Sequence, residues 1–240
     1  VRAAGGEEIT MDQDVSGTAP ADRPDPTDSV RMQILATEHW SLLATRSMVW
    51  NEMFTRAGMF LTTLSASIVA LALVAQASAF DETFRMLALL ILPVVLFLGL
   101  ATSVRLGHAQ VMDTWSVAGM NRLRHAYLDI APDLEPYFVT SHHDDIPGLL
   151  WTSGHFDRIK PSMALVSTPA IVDVICAVLS GVIGWLLMSL VTDQEAARMC
   201  VAVVIGLVMA VLLLVVAPQM LIREHLMTYE PRFPCPEKEG

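Results

Sequence analysis

Residues 57–80 read AGMFLTTLSASIVALALVAQASAF, with no Asp, Glu, Lys or Arg among them. A helix crosses about 30 Å of hydrocarbon with roughly 20 apolar residues, so this stretch alone is long enough to span a bilayer. Three more runs share the property: MLALLILPVVLFLGLATSV at 86–104, and residues 174–192 and 199–222. They fall into two close pairs, separated internally only by residues 81–85 and 193–198.

Lipid offers no partner to a backbone N–H or C=O, so each run must satisfy its own hydrogen bonds as a helix. Transmembrane β-strands would alternate in character and be about ten residues long, which excludes a barrel. The expected fold class is therefore all-α: a polytopic membrane protein with four transmembrane helices in two hairpins. A hydrophobic content of 53% and a mean hydropathy of +0.50 agree with it.

Working outward, residues 30–56 continue the helical pattern without Pro or Gly. Leu35, His39, Leu42, Leu43, Val49, Trp50 and Met53 recur at three- and four-residue spacing. On the other side of the first pair, residues 105–131 stay rich in helix formers until Pro132. A tight link joins the two runs, so both extensions leave the same membrane face. The apolar positions of 35–53 should then meet Val111, Met112, Trp115, Met120, Leu123 and Tyr127. The first hairpin is thus expected to extend into a helical stalk, with Trp40, Trp50, Trp115 and Trp151 as stalk or partner contacts.

The organisation that follows is a disordered acidic tail over 1–28 and a unit over 29–131. The latter comprises the amphipathic helix, a first span at 57–80, a second at 86–104 and the returning helix. A Pro- and Gly-bearing loop region covers 132–168, and a second hairpin covers 169–229, with spans at 169–192 and 199–222. A Pro-rich tail at 230–240 is read as extended or disordered. Basic residues near the membrane ends favour the cytoplasmic side. Arg46, Arg56, Arg105, Arg122, Arg124, Arg158, Lys160, Arg223 and Arg232 lie on the flanks, against Arg85 and Arg198 at the tips. That bias places both termini and the stalk in the cytoplasm of a multi-pass protein of the cell membrane.

A formal net charge of −10, concentrated early in the chain, excludes nucleic acid as a partner, because phosphate binding needs clustered Lys and Arg. The expected partners are the lipid bilayer and either a second copy or another protein bound through the stalk. Glycine-rich phosphate loops, Ser-His-Asp patterns and paired catalytic carboxylates are not visible. No enzyme activity, cofactor or metal is therefore assigned. The most suggestive polar cluster is His142, His143, Asp144 and Asp145, followed by His155 and Asp157. His and carboxylate ligate transition metals, but neighbours in sequence do not easily converge on one ion, and a solvated loop is the simpler reading. Asp173 lies one turn after Pro169, where it can reach interfacial water and is favoured by the helix N-terminal dipole.

Small residues recur at four-residue spacing: Ala177 with Gly181, Gly184 after Ser180, and Ala202, Gly206 and Ala210. Such faces let membrane helices approach closely. Together these features favour a non-enzymatic scaffold, signalling or effector component. The alternative is an oligomeric channel or membrane-permeabilising effector gated from the cytoplasm.

Overall fold

The structure, a computed structural model, describes residues 26–154, 166–226 and 229–236. Residues 1–25 of the acidic tail, and His155 and Asp157, lie outside the described residues; 26–28, expected to be disordered, instead open the first helix. Among the described residues there is no strand, and four helices are long and apolar enough to cross a membrane.

Helix α1 runs unbroken over Pro26–Ser78 and α2 over Glu82–Ile130. At 1.5 Å per residue, α1 is about 80 Å long, well over twice the hydrocarbon thickness. The link between them is minimal. Ala79 and Phe80 take positive φ, at 48° and 61°, which costs roughly 1–2 kcal/mol per non-glycine residue. Asp81 then caps α2 by accepting the Phe84 amide at 3.2 Å.

The shielded positions of α1 before residue 57 include Leu35, His39, Leu42, Arg46, Val49 and Met53, spaced alternately by four and three. That 3.5-residue repeat keeps one seam against a neighbouring helix. As residue numbers rise in α1 they fall in α2: His39 stacks on Tyr127, Arg46 pairs with Asp113, and Glu52 pairs with Arg105. Of the six residues expected to face α1, Met112 and Trp115 are exposed. The buried positions of α2 fall instead at Leu106, Ala109, Ser116 and Met120, on the same three- and four-residue repeat.

Helix α3 is a short turn at Ile146–Thr152, preceded by a 3₁₀ segment at Pro132–Tyr137. Helix α4 spans Thr168–Met188, with Ser167 as its cap and Pro169 in its first turn. Helix α5, Glu195–Val211, runs through a π-helical turn at Leu212–Val216 into α6, Ala217–Leu226. The π turn directly precedes Pro218, which has no N–H to give and would crowd the carbonyl four residues back. A wider turn there relieves both problems.

The core is threefold in origin. Val49, Met53, Ala57 and Phe60 of α1 join Leu92, Val95 and Leu106 of α2 and Val172, Cys176 and Leu179 of α4. Gly99 marks the point of closest approach, since a Cβ there would stand 2.6 Å from Cys176 Sγ and 2.8 Å from the Phe60 ring. Helix α5 packs on α4 through small residues. A Cβ on Gly181 would meet the Ala202 carbonyl at 2.9 Å, and one on Gly206 the Ala177 carbonyl at 3.3 Å. A second, smaller core gathers Val117, Ala118, Met120 and Leu149, with Leu42 and Tyr229 against it. It lies beyond the apolar run of α2.

Candidate functional site

Around that second core, α2 is enclosed on nearly every side from Ser116 to Asn121. Asn121, fully buried, is fixed by four contacts. Its Nδ2 donates to the carbonyls of His143 (2.7 Å) and Gly148 (3.3 Å), and its Oδ1 accepts from Arg124 (2.7 Å) and Thr152 (3.0 Å). A buried amide with donor and acceptor both satisfied rigidifies its surroundings. Gly148 is required here, because a Cβ would fall 2.2 Å from the His143 carbonyl oxygen.

At the next residue, Arg122 Nε donates to Asp144 Oδ2 at 2.6 Å, and Asp144 is 0% exposed. Its carboxylate also accepts the backbone amides of Arg232 (3.0 Å) and Phe233 (2.8 Å). The Tyr229 hydroxyl lies 2.9 Å from both Oδ2 and the Asp144 carbonyl, and accepts from Arg122 at 3.1 Å. Asp145 divides its oxygens: one caps α3 through the Gly148 amide, the other takes the Cys235 amide at 2.8 Å. Burial alone would push the Asp144 carboxyl up. The Arg232 amide, the Arg122 guanidinium, the Phe233 amide and the Tyr229 hydroxyl outweigh it and hold the group down to about 2. Burial, then the hydrogen bond and charge of Asp144, push the Tyr229 phenol up, so it remains a donor.

The described part of the C-terminal segment is therefore not a loose tail. It bends at Arg232 and Phe233, whose consecutive amides converge on Asp144, while Asp145 takes the amide of Cys235. Aromatic contacts flank it: Tyr229 meets Trp115 edge-on at 5.1 Å, and Phe233 stacks on His125 at 4.0 Å. His142 lies 5.8 Å from His125 and 4.1 Å from His143.

The polar cluster singled out from sequence thus contains a structural carboxylate pair and two histidines around it. Among the described residues no group of three or more His, Cys, Asp or Glu side chains is arranged to hold a metal ion. Asp173 does not reach interfacial water. It is 6% exposed, packed against α2, and accepts the Ser103 hydroxyl. Pairing across the helices replaces snorkelling because α4 turns that face toward α2, as Val172 and Cys176 beside it show. Of the small residues, Ala177, Gly181, Ala202 and Gly206 meet at the α4–α5 contact, while Gly184 faces Ile205. Ala177, Gly181, Ala202, Gly206 and Ala210 also line an apolar groove of about 570 Å³ between the two helices.

Asn121, Arg122, Tyr229 and Phe233 carry no local motif, and their hydrogen-bond partners stand up to 107 positions away. Only the Arg122 charge inside a half-apolar helix hints at a buried acid. No family model, curated protein or solved structure matches this chain.

Proposed function

We propose that the protein is a membrane-anchored, non-enzymatic interaction component. In this reading the four spans form two hairpins in the cell membrane with both termini cytoplasmic. The paired extensions of α1 and α2 form a stalk that binds a second copy or another protein. One observation carries it. Between residue 30 and the start of the apolar run at 57, α1 leaves Trp40 71%, Met48 73% and Phe54 56% exposed. Lipid does not reach far along an extension of about 40 Å. Large apolar side chains grouped in water mark contact surfaces rather than ordinary surface.

Trp40, Leu43, Trp50 and Phe54 fall at heptad spacing on one flank of the seam, and all are exposed. Trp50 is held there by its Nε1–H bond to Asp113, at 2.9 Å. A preordered aromatic row has little entropy left to lose on binding. Tryptophan is, moreover, among the residues that dominate interface energetics.

The test is the assembly state of the full chain in lipid nanodiscs, read together with amide exchange over residues 30–56. A defined oligomer, or slow exchange that depends on an added partner, supports the proposal. A monomer whose residues 30–56 exchange at unhindered rates under all conditions defeats it.

A further inference from the structure

The charge-free runs of α1 and α2 end on the same side, at Arg56 just before position 57 and at Arg105 just after position 104. Both guanidiniums turn to one carboxylate. Glu52 accepts Arg56 Nε at 2.8 Å, and Arg105 Nε and Nη2 at 2.9 and 3.2 Å. Two positive charges thus share one negative charge, and one positive charge is left over. A guanidinium has five N–H groups to give. Among the described residues, Arg56 Nη1 and Nη2 and Arg105 Nη1 meet no acceptor, and both side chains are about half exposed.

A groove of about 590 Å³ joins these two arginines and His108 to Phe97, Leu100, Ala101 and Val104. The four apolar residues follow one another at three- and four-residue spacing, so they form one face of α2 within its apolar run. Phe97 and Val104 are exposed on it. Arg105 to Phe97 spans about 12 Å along the helix axis, less than the roughly 15 Å of hydrocarbon in one leaflet. The groove is therefore cationic where the hydrocarbon ends and apolar through most of a single leaflet.

We propose that this groove binds one anionic phospholipid, its phosphate between Arg56 and Arg105 and an acyl chain along Val104, Leu100 and Phe97. A soluble anion would meet the guanidiniums but leave the apolar face uncovered. A zwitterionic lipid would cover that face but bring its own cation to the excess positive charge. The nearby carboxylates do not cancel that excess. Asp113 is engaged by Arg46, and Asp173 is buried against Ser103 toward α4. The groove between α4 and α5 supplies the comparison. It reaches the same depth, since Asp173 meets Ser103 and Cys176 lies against Gly99, and no charged residue lines it. The proposal rests on α1 and α2 crossing a bilayer and is independent of what the aromatic row of α1 binds.

The test places the full chain in phosphatidylcholine nanodiscs containing a small fraction of a lipid with a photoreactive acyl chain. The probe is either phosphatidylglycerol or phosphatidylcholine, and mass spectrometry maps the labelled residues. Phosphatidylglycerol should label 97–104 about fivefold more than phosphatidylcholine does, the factor expected for one uncompensated arginine at an anionic headgroup. The two probes should label 174–182 alike. In Arg56→Gln, Arg105→Gln the preference at 97–104 should fall to that at 174–182. Glu52→Gln keeps an acceptor for both arginines but removes the negative charge, so it should raise the preference about fivefold again. A merely structural role for these residues gives no such rise. Inorganic phosphate, matched in ionic strength to a chloride control, should not displace the label. Equal wild-type preferences at 97–104 and 174–182 overturn the proposal. So does an undiminished preference in the double variant, or no rise in Glu52→Gln. Displacement by inorganic phosphate overturns it as well, by assigning the guanidiniums to a soluble anion.

Discussion

Arg46 Nε lies 2.6 Å from Asp113 Oδ1, joining α1 to α2 across 67 positions of sequence, and Trp50 Nε1 donates to the same oxygen. Both ionic partners are mostly shielded, so this is the anchor of the extension rather than a surface pair. Asp113→Ala should cost about 1–3 kcal/mol, since it strands a guanidinium and an indole N–H. The expected readout is faster amide exchange over residues 39–53 with the spans unchanged. The swapped pair Arg46→Asp, Asp113→Arg should recover part of it.

The Asp144 node sets an acid limit on docking of the C-terminal segment. Its carboxyl is held to about 2 when the segment is docked, against an ordinary 3.8, so its contribution is complete above about pH 4 and is lost as pH falls toward 2. In the full chain, docking followed by Arg232 and Phe233 exchange should therefore persist at pH 5 and fail only below 4. Removing the carboxylate outright with Asp144→Ala should cost about 3 kcal/mol, the order expected when one member of a buried pair is deleted.

The glycines separate sharply by what surrounds them. Gly148→Ala would place a methyl 2.2 Å from a backbone oxygen and Gly181→Ala one at 2.9 Å from another, and backbone yields little. Both should destabilise by about 1–3 kcal/mol, the first where Gly148 packs on His143 and the second between α4 and α5. Gly58 has open space around it, so Gly58→Ala should be neutral or slightly stabilising by helix propensity. Thermal denaturation in detergent, with exchange to localise the loss, distinguishes the three.

Ser103 is the hydrogen-bond donor to Asp173 at the edge of the apolar runs. Ser103→Ala should therefore be more harmful than Asp173→Asn, because it leaves a buried carboxylate without that donor while the amide keeps a hydrogen bond. Unfolding in mixed micelles should rank them in that order.

The spans were readable because hydrocarbon imposes one continuous requirement on every residue of 57–80 or 199–222. The extension was readable at Leu35, Leu42, Val49 and Met53, where a 3.5-residue repeat shows through. Which face of α2 meets α1 was not, because Met112 and Trp115 look as apolar as Met120, and only the seam's phase distinguishes them. The small-residue contact at Gly181 and Gly206 showed in the spacing. Gly99 did not, since its neighbours Cys176 and Phe60 lie on two other helices. Asp144 and its neighbours stood out as polar residues, yet the meaning of that polarity depended on Tyr229 and Phe233, some 85 to 89 positions on.

The aromatic row of α1 is, in the proposed function, a contact surface in water. A photo-crosslinking residue placed at Trp40 or Phe54 of the full chain in native membranes tests this most directly, with Thr45 on the other side of α1 and Phe97 on α2 as exposed controls off the row. Discrete protein adducts of one or a few masses at 40 and 54, absent at 45 and 97, are the predicted result. The same diffuse background at all four positions would contradict it.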